Sequence, residues 1–136
     1  MEIIECTSLD QFNTLLTSSP LVLIDFWATW CPPCLMLRNM MTQNQKRFNT
    51  DFPDLKICSI ELTPENQTWV LKKWKINAIP HLICYVNQEK IDEFKGFMKY
   101  EKLAENLRSC QDQPPKETLC AKIRKRRSKT KDQKQP

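Results

Sequence analysis

One glycine, Gly96, and one histidine, His81, are all that this 136-residue chain has of those two types. With so little glycine, tight turns fall to Asn, Asp and Pro. The N-terminus, "MEIIECTSLD", is acidic and lacks the basic-then-apolar pattern of a secretory signal. The longest apolar run, "LVLI" continuing into "FWA", is interrupted by Asp25 and is far too short to span a bilayer. A second C-x-x-C is missing, so a four-ligand zinc site has no obvious source; Cys31, Cys34 and His81 together would supply three ligands. The seven cysteines are odd in number and mostly far apart, unlike the dense even set of a secreted scaffold. A soluble, cytoplasmic protein with most thiols reduced is the expectation.

What is present is enough for one folded domain. Apolar residues make up 40% and charged residues 27%. The charge is unevenly spread. Residues 1–110 carry 12 Lys and Arg against 13 Asp and Glu; residues 111–136 carry 9 against 3. The stretch "QDQPPKET" separates a nearly neutral body, 1–110, from a basic tail, 111–136, of disordered composition.

Periodicity sets the expected elements. "EIIEC" reads as a strand, and "SLDQFNTLLTS" as a helix capped by Ser8. "PLVLIDFWA" reads as a strand buried on both faces. One helix then opens at the cysteine pair, with Leu37, Met40, Met41 and Phe48 at helical spacing, and ends before Pro53. "LKICSIEL" is a strand and "NQTWVLKKWKI" a helix. "HLICYV" and "KIDEFKGF" form a hairpin turning at "NQEK". A final helix carries Tyr100, Leu103 and Leu107 inward. The resulting class is α/β, with a central mixed sheet of parallel strands plus an antiparallel C-terminal hairpin, flanked by helices.

The stretch "FWATWCPPCLML" places Cys31 and Cys34 directly after a strand and at the start of a helix. Free amides and partial positive charge at a helix N-terminus stabilise a thiolate there. Prolines suit that first turn, which does not use their missing N–H. A disulfide closing so small a loop adds little stability, so redox exchange is a better reading than a structural staple. Asp25, flanked by Ile24, Phe26 and Trp27, is costly to bury, and that cost points to a role.

These residues, with "IP" at 79–80 and Gly96 in the last strand, resemble the thioredoxin family over about residues 1–110. The resemblance implies a thioredoxin fold and a thiol–disulfide oxidoreductase that reduces protein disulfides. It implies Cys31 as nucleophile, Cys34 as resolving thiol and Asp25 as proton relay. Trp30, Ile79 and Pro80 would contact substrate, with Pro80 as a cis-proline. No cofactor would be bound; electrons would come from NADPH through a thioredoxin reductase. Disulfide-containing proteins and that reductase are the expected partners.

The chain departs from the family pattern at several positions. Pro32 replaces the usual glycine, Asn39 stands where a helix-kinking proline is common, and Leu35 replaces a basic residue. Ser59 stands where a lysine often neighbours the buried Asp. His81, following Pro80, is either a bystander or an imidazole tuning Cys31. Cys6, Cys58 and Cys84 are expected as small buried hydrophobes, and Cys110 and Cys120 as thiols outside the core. For "KIRKRRSK", 122–129, the readings are a solvated extension, a nuclear-import signal or nucleic-acid patch, or a short helix with Leu119, Cys120 and Ile123 on one face against a partner or an acidic membrane. Without aromatics to stack bases, specific nucleic-acid binding is not expected. The alternative function is a thioredoxin-fold interaction or scaffold module of a larger assembly, as in cilia or flagella, addressed by the tail.

Overall fold

The computed structural model describes residues 1–113. The elements are β1 (Glu2–Glu5), α1 (Leu9–Thr17), β2 (Leu21–Trp27), α2 (Pro32–Gln43), α3 (Gln45–Asp51), β3 (Leu55–Glu61), α4 (Pro64–Lys73), β4 (His81–Val86), β5 (Glu89–Lys95) and α5 (Tyr100–Asp112). The sheet order is β1-β3-β2-β4-β5. β1 and β2 run parallel to β3, while β4 lies antiparallel between β2 and β5. This is the mixed sheet expected from the alternation of strands and helices.

The alternation of side chains along each strand divides the core in two. Leu21, Leu23, Leu55 and Ile57 pack with Leu37, Met41, Phe48, Leu103 and Leu107 under α2, α3 and α5. Val22, Ile24, Phe26, Cys58 and Ile60 face Phe12 on α1, Val70 on α4 and Trp74 just beyond α4. Asp25 and Ser59 continue the first set by register, so both lie on the α2 side.

Three local features differ from expectation. The helix expected to run unbroken to Pro53 divides at Asn44, which has φ −102° and ψ 19°. Its side-chain amide donates to the Met40 carbonyl at 2.9 Å, an alternative to helical continuation. Helix α4 starts earlier than the apolar pattern suggests, because Thr63 caps it by accepting from the Asn66 amide and Pro64 occupies the first turn. Cys110, expected outside the core, is wholly buried. It continues the inward stripe of Tyr100, Leu103 and Leu107 by one more step of three. Cys120 and most of the tail lie outside the described residues.

The scarcity of glycine shows at the hairpin. Asn87 and Gln88 both take positive φ, 50° and 69°, in a two-residue turn that glycine usually serves. The lone Gly96 has φ +84°, and nothing lies within 4 Å of where its Cβ would stand. Backbone conformation, not space, accounts for glycine at this position. Its amide donates to the Pro80 carbonyl at 2.9 Å, joining the end of β5 to the loop before β4.

Candidate active site

Strand β2 delivers the chain through Ala28 to Cys31, and α2 begins at the next residue. Cys31 is the N-cap of α2, with Pro32 and Pro33 in the first turn. Its Sγ accepts from the Cys34 amide at 3.3 Å. Cys31 and Cys34 are joined as a disulfide with Cα atoms 5.3 Å apart. Cys34 is wholly buried and Cys31 is 5% exposed, so the outer sulfur is the one that solvent reaches. The helix-opening position directs free amides at this sulfur, the arrangement that favours its thiolate once reduced.

The loop before β4 closes over the pair. The Ile79–Pro80 peptide bond is cis. Cys31 Sγ lies 3.8 Å from the Ile79 carbonyl oxygen, and Ile79 packs with Ala28, Cys31 and Cys34. Trp30 stands out at 73% exposure, with Leu35 and Met36 also exposed nearby in sequence. Trp30 and Ile79 join Leu62, Gln67, Ile76 and Ala78 around a groove of about 420 Å³.

Beneath the site, one row crosses the sheet: Glu5 pairs with Ser59, Ser59 with Asp25, and Asp25 with Leu82. Asp25 is 1% exposed, and its Oδ1 has no hydrogen-bond partner among the described residues. No described hydrogen bond joins it directly to Cys34. Burial raises its pKa from 3.8 to about 7; the Arg38 charge opposes that rise and the Glu5 charge adds to it.

No single motif in the sequence singles out Arg38. It lies four residues after Cys34, on the same face of α2. Its guanidinium donates to Ser59 Oγ at 3.2 Å, pairs with Glu5 and stacks 4.4 Å above the Trp27 ring. A cation thus reaches the row from the helix above, where Ser59 supplies none from the strand. The signal available in sequence was the conjunction of a buried Asp, a serine in place of the lysine, and an Arg one helical turn beyond the second cysteine.

His81 is 1% exposed; its Nε2 lies 3.2 Å from Glu93 and its ring meets Phe26 edge-on at 6.0 Å. Burial lowers its pKa, with Glu93 opposing, so it is neutral near pH 7. These partners belong to β5 and β2, which places the imidazole in the packing of the strand start. Among the described residues no group of three or more His, Cys, Asp or Glu is arranged to hold a metal ion, and no helix is long and apolar enough to cross a membrane.

A β1-α1-β2 entry, a disulfide pair at the start of α2 and a cis-proline loop facing it define a thioredoxin-fold dithiol protein. Comparison with known proteins agrees. The thioredoxin family's sequence profile matches residues 3–109, and the chain belongs to that family. Thioredoxin of Staphylococcus epidermidis is 32% identical over 107 residues, 79% of this chain and 96% of that protein. Thioredoxin of Coprinus comatus is 30% identical over 90 residues, 66% of this chain and 81% of that one. Among solved structures, oxidised mitochondrial thioredoxin 3 of Saccharomyces cerevisiae superposes with a TM-score of 0.66 at 22% identity, covering 79% of this chain and 94% of that chain. A mutant thioredoxin of Halobacterium salinarum gives 0.69 at 22% identity, covering 84% and 95%. The chain is a thiol–disulfide oxidoreductase of the protein-disulfide reductase type, and proteins carrying disulfides are its general substrate class.

Proposed function

We propose that Cys31 attacks substrate disulfides, Cys34 resolves the mixed disulfide and Asp25 takes the Cys34 proton. The observation that carries this is the placement of one reachable sulfur, Cys31, and one wholly buried sulfur, Cys34, at the start of α2. In the reduced protein the Cys31 thiolate attacks one sulfur of the substrate, and a substrate thiolate leaves. Cys34 then loses its proton and attacks the Cys31 sulfur. The second substrate thiolate is expelled, and the intramolecular disulfide forms. Two electrons pass to the substrate.

Asp25, with its pKa raised by burial to about 7, is poised to exchange a proton at neutral pH. Arg38 supplies the positive charge that keeps this pKa from rising further. Trp30, Ile79 and Pro80 contact the substrate chain. The groove between Trp30 and Ile79 suits apolar side chains next to the substrate cysteine. NADPH, through a thioredoxin reductase, returns the disulfide to the dithiol, and the protein works in the cytoplasm.

Residues 1–110 form the redox domain, and the basic segment 111–136 directs location or captures an acidic partner. The charge imbalance between the two parts supports that division. Residues 122–129 would also serve nuclear entry. Truncation after Cys110 should leave the reduction of a small disulfide unchanged and alter cellular distribution; unchanged distribution removes the addressing role.

An NADPH-coupled disulfide-reduction assay tests the catalytic assignment. Wild type should turn over and Cys31→Ser should fall to the uncatalysed rate. Sustained turnover by Cys31→Ser ends the assignment, and the interaction-module reading takes its place.

A further inference from the structure

Four cysteines of the described residues remain outside the active site, and the fold gathers them into two pairs. Cys58 lies on the α1 side of β3, between Ile57 and Ser59. Cys6 follows the last residue of β1, and its amide donates to the Ser59 carbonyl at 2.9 Å. The two sulfurs stand 3.0 Å apart, with Cys58 as donor and Cys6 as acceptor. A disulfide bond is about 2.04 Å long, so closure requires an approach of roughly 1 Å. Cys84 and Cys110 are neighbours in the core beneath α5.

The pairs differ in access. Cys84 and Cys110 are both wholly buried, whereas Cys6 keeps 2% exposure and lines two surface grooves. One groove lies between β1 and α1, beside Asp10 and Lys56. The other passes beneath Trp27 and Arg38. The hydrogen bond from Cys58 holds the Cys6 thiol below its ordinary pKa, against burial and the nearby Glu5 charge. The same bond and burial hold Cys58 up. Cys6 is the sulfur nearer solvent, and Cys58, wholly buried, directs its S–H at it, so the outer sulfur is the one placed to meet an oxidant as thiolate.

We propose that Cys6 and Cys58 are a second redox site, converted by hydrogen peroxide to an intramolecular disulfide and restored by a dithiol. The Cys6 thiolate attacks a peroxide oxygen, giving the Cys6 sulfenic acid and hydroxide. The Cys58 sulfur then attacks the Cys6 sulfur. The sulfenic oxygen departs as water, and the protons released by the two thiols complete both water molecules. Two electrons leave the thiols, one peroxide is consumed and two waters form. The bond fastens the end of β1 to β3 next to Glu5, the residue that pairs with Arg38 above Asp25.

The test uses the full chain carrying Cys31→Ser and Cys34→Ser, which leaves five of the seven cysteines. After peroxide treatment and alkylation in denaturant, the free thiols should number three. Mass spectrometry should find the Cys6 and Cys58 peptides linked, and dithiothreitol should restore five. The same linkage should appear in peroxide-treated wild type beside the Cys31–Cys34 bond, a measurement that needs no folded variant. Cys6 and Cys58 both alkylated after treatment would overturn the proposal. So would Cys6 oxidised to sulfinic acid with Cys58 still free, or a loss of two thiols carried by Cys84 and Cys110 alone.

Discussion

On the α2 side of the sheet, the row Glu5, Ser59 and Asp25 places two carboxylates and a hydroxyl under the Arg38 guanidinium. One residue back along the same strands, Ile4, Cys58 and Ile24 face α1 and α4 among Phe12, Phe26 and Trp74. Phe12 meets Trp74 edge-on at 5.0 Å and Tyr85 at 5.5 Å, and the Trp74 indole donates to the Tyr85 hydroxyl at 3.1 Å. The two rows share a backbone and differ in what it costs to bury them. The aromatic side gives stability without charge. The α2 side carries a carboxylate that would be cheaper left out, a cost that the proposed proton transfer from Cys34 would account for.

The largest effect should come from the active-site pair. Cys34→Ser removes the resolving sulfur, so a mixed disulfide with substrate should accumulate after one attack and turnover should stop. Non-reducing electrophoresis followed by mass spectrometry reads this directly. Multiple turnovers by Cys34→Ser would break the assignment of roles to the outer and inner sulfurs.

Next is the aromatic side. Phe12 is wholly buried, and Phe12→Ala should lower stability by about 3–5 kcal/mol. Denaturant unfolding measures the loss. The reduction rate per folded molecule should stay near wild type. A rate loss well beyond the folded fraction would erase the contrast between the two sides.

Asp25→Asn should separate stability from rate. The folded carboxyl holds its proton up to about pH 7, whereas the reference value is 3.8. Its folded pKa is raised, so the stability linked to its protonation is complete below about pH 4 and lost as pH rises through 7. That shift corresponds to roughly 4 kcal/mol at most. The Asn variant, unable to ionise, should therefore gain stability over wild type between about pH 4 and 7 and hold that gain at about pH 8. Urea unfolding at about pH 4, 6 and 8 checks it; a gain independent of pH would show that ionisation of Asp25 is not the cause. The resolving step should slow and lose its pH dependence near 7.

Much of this site was legible in sequence because its signals are local. The C-x-x-C at a strand-to-helix junction, the acid inside an apolar strand and the Ile-Pro before a hairpin each occupy a few residues. What escaped depends on three-dimensional placement. Arg38 looks like an ordinary surface cation until α2 lies over Ser59. Cys6 and Cys58 are 52 residues apart and meet only because β1 pairs with β3. The break at Asn44 reflects a side chain competing for the Met40 carbonyl within an otherwise helical pattern. Cys110 was within reach, since its spacing from Leu107 extends the buried stripe.

Arg38→Met should have a smaller effect than Asp25→Asn. It removes the one charge that opposes the rise in the Asp25 pKa. The inflection in the resolving rate should move to higher pH by roughly one unit, a size tempered by the 28% exposure of the Arg38 side chain. Arg38→Lys should restore much of the position. An unmoved inflection in Arg38→Met, with the fold intact, would confine Arg38 to packing over Trp27.

The smallest effect is expected at the hairpin, far from either row. Gln88 holds φ 69° with a side chain that disfavours it. Gln88→Gly removes the steric penalty on the left-handed conformation but enlarges the conformational freedom of the unfolded chain. The two terms oppose, and the penalty of about 1 kcal/mol or more for a non-glycine residue should exceed the entropy term, leaving a net gain of roughly 0.5 kcal/mol. A shift in the urea midpoint at unchanged slope measures it. Because the turn closes β4 on β5 at the end remote from Pro80, the reduction rate should not move. A destabilised Gln88→Gly would mean that the Gln88 side chain contributes more to the folded hairpin than its backbone conformation costs.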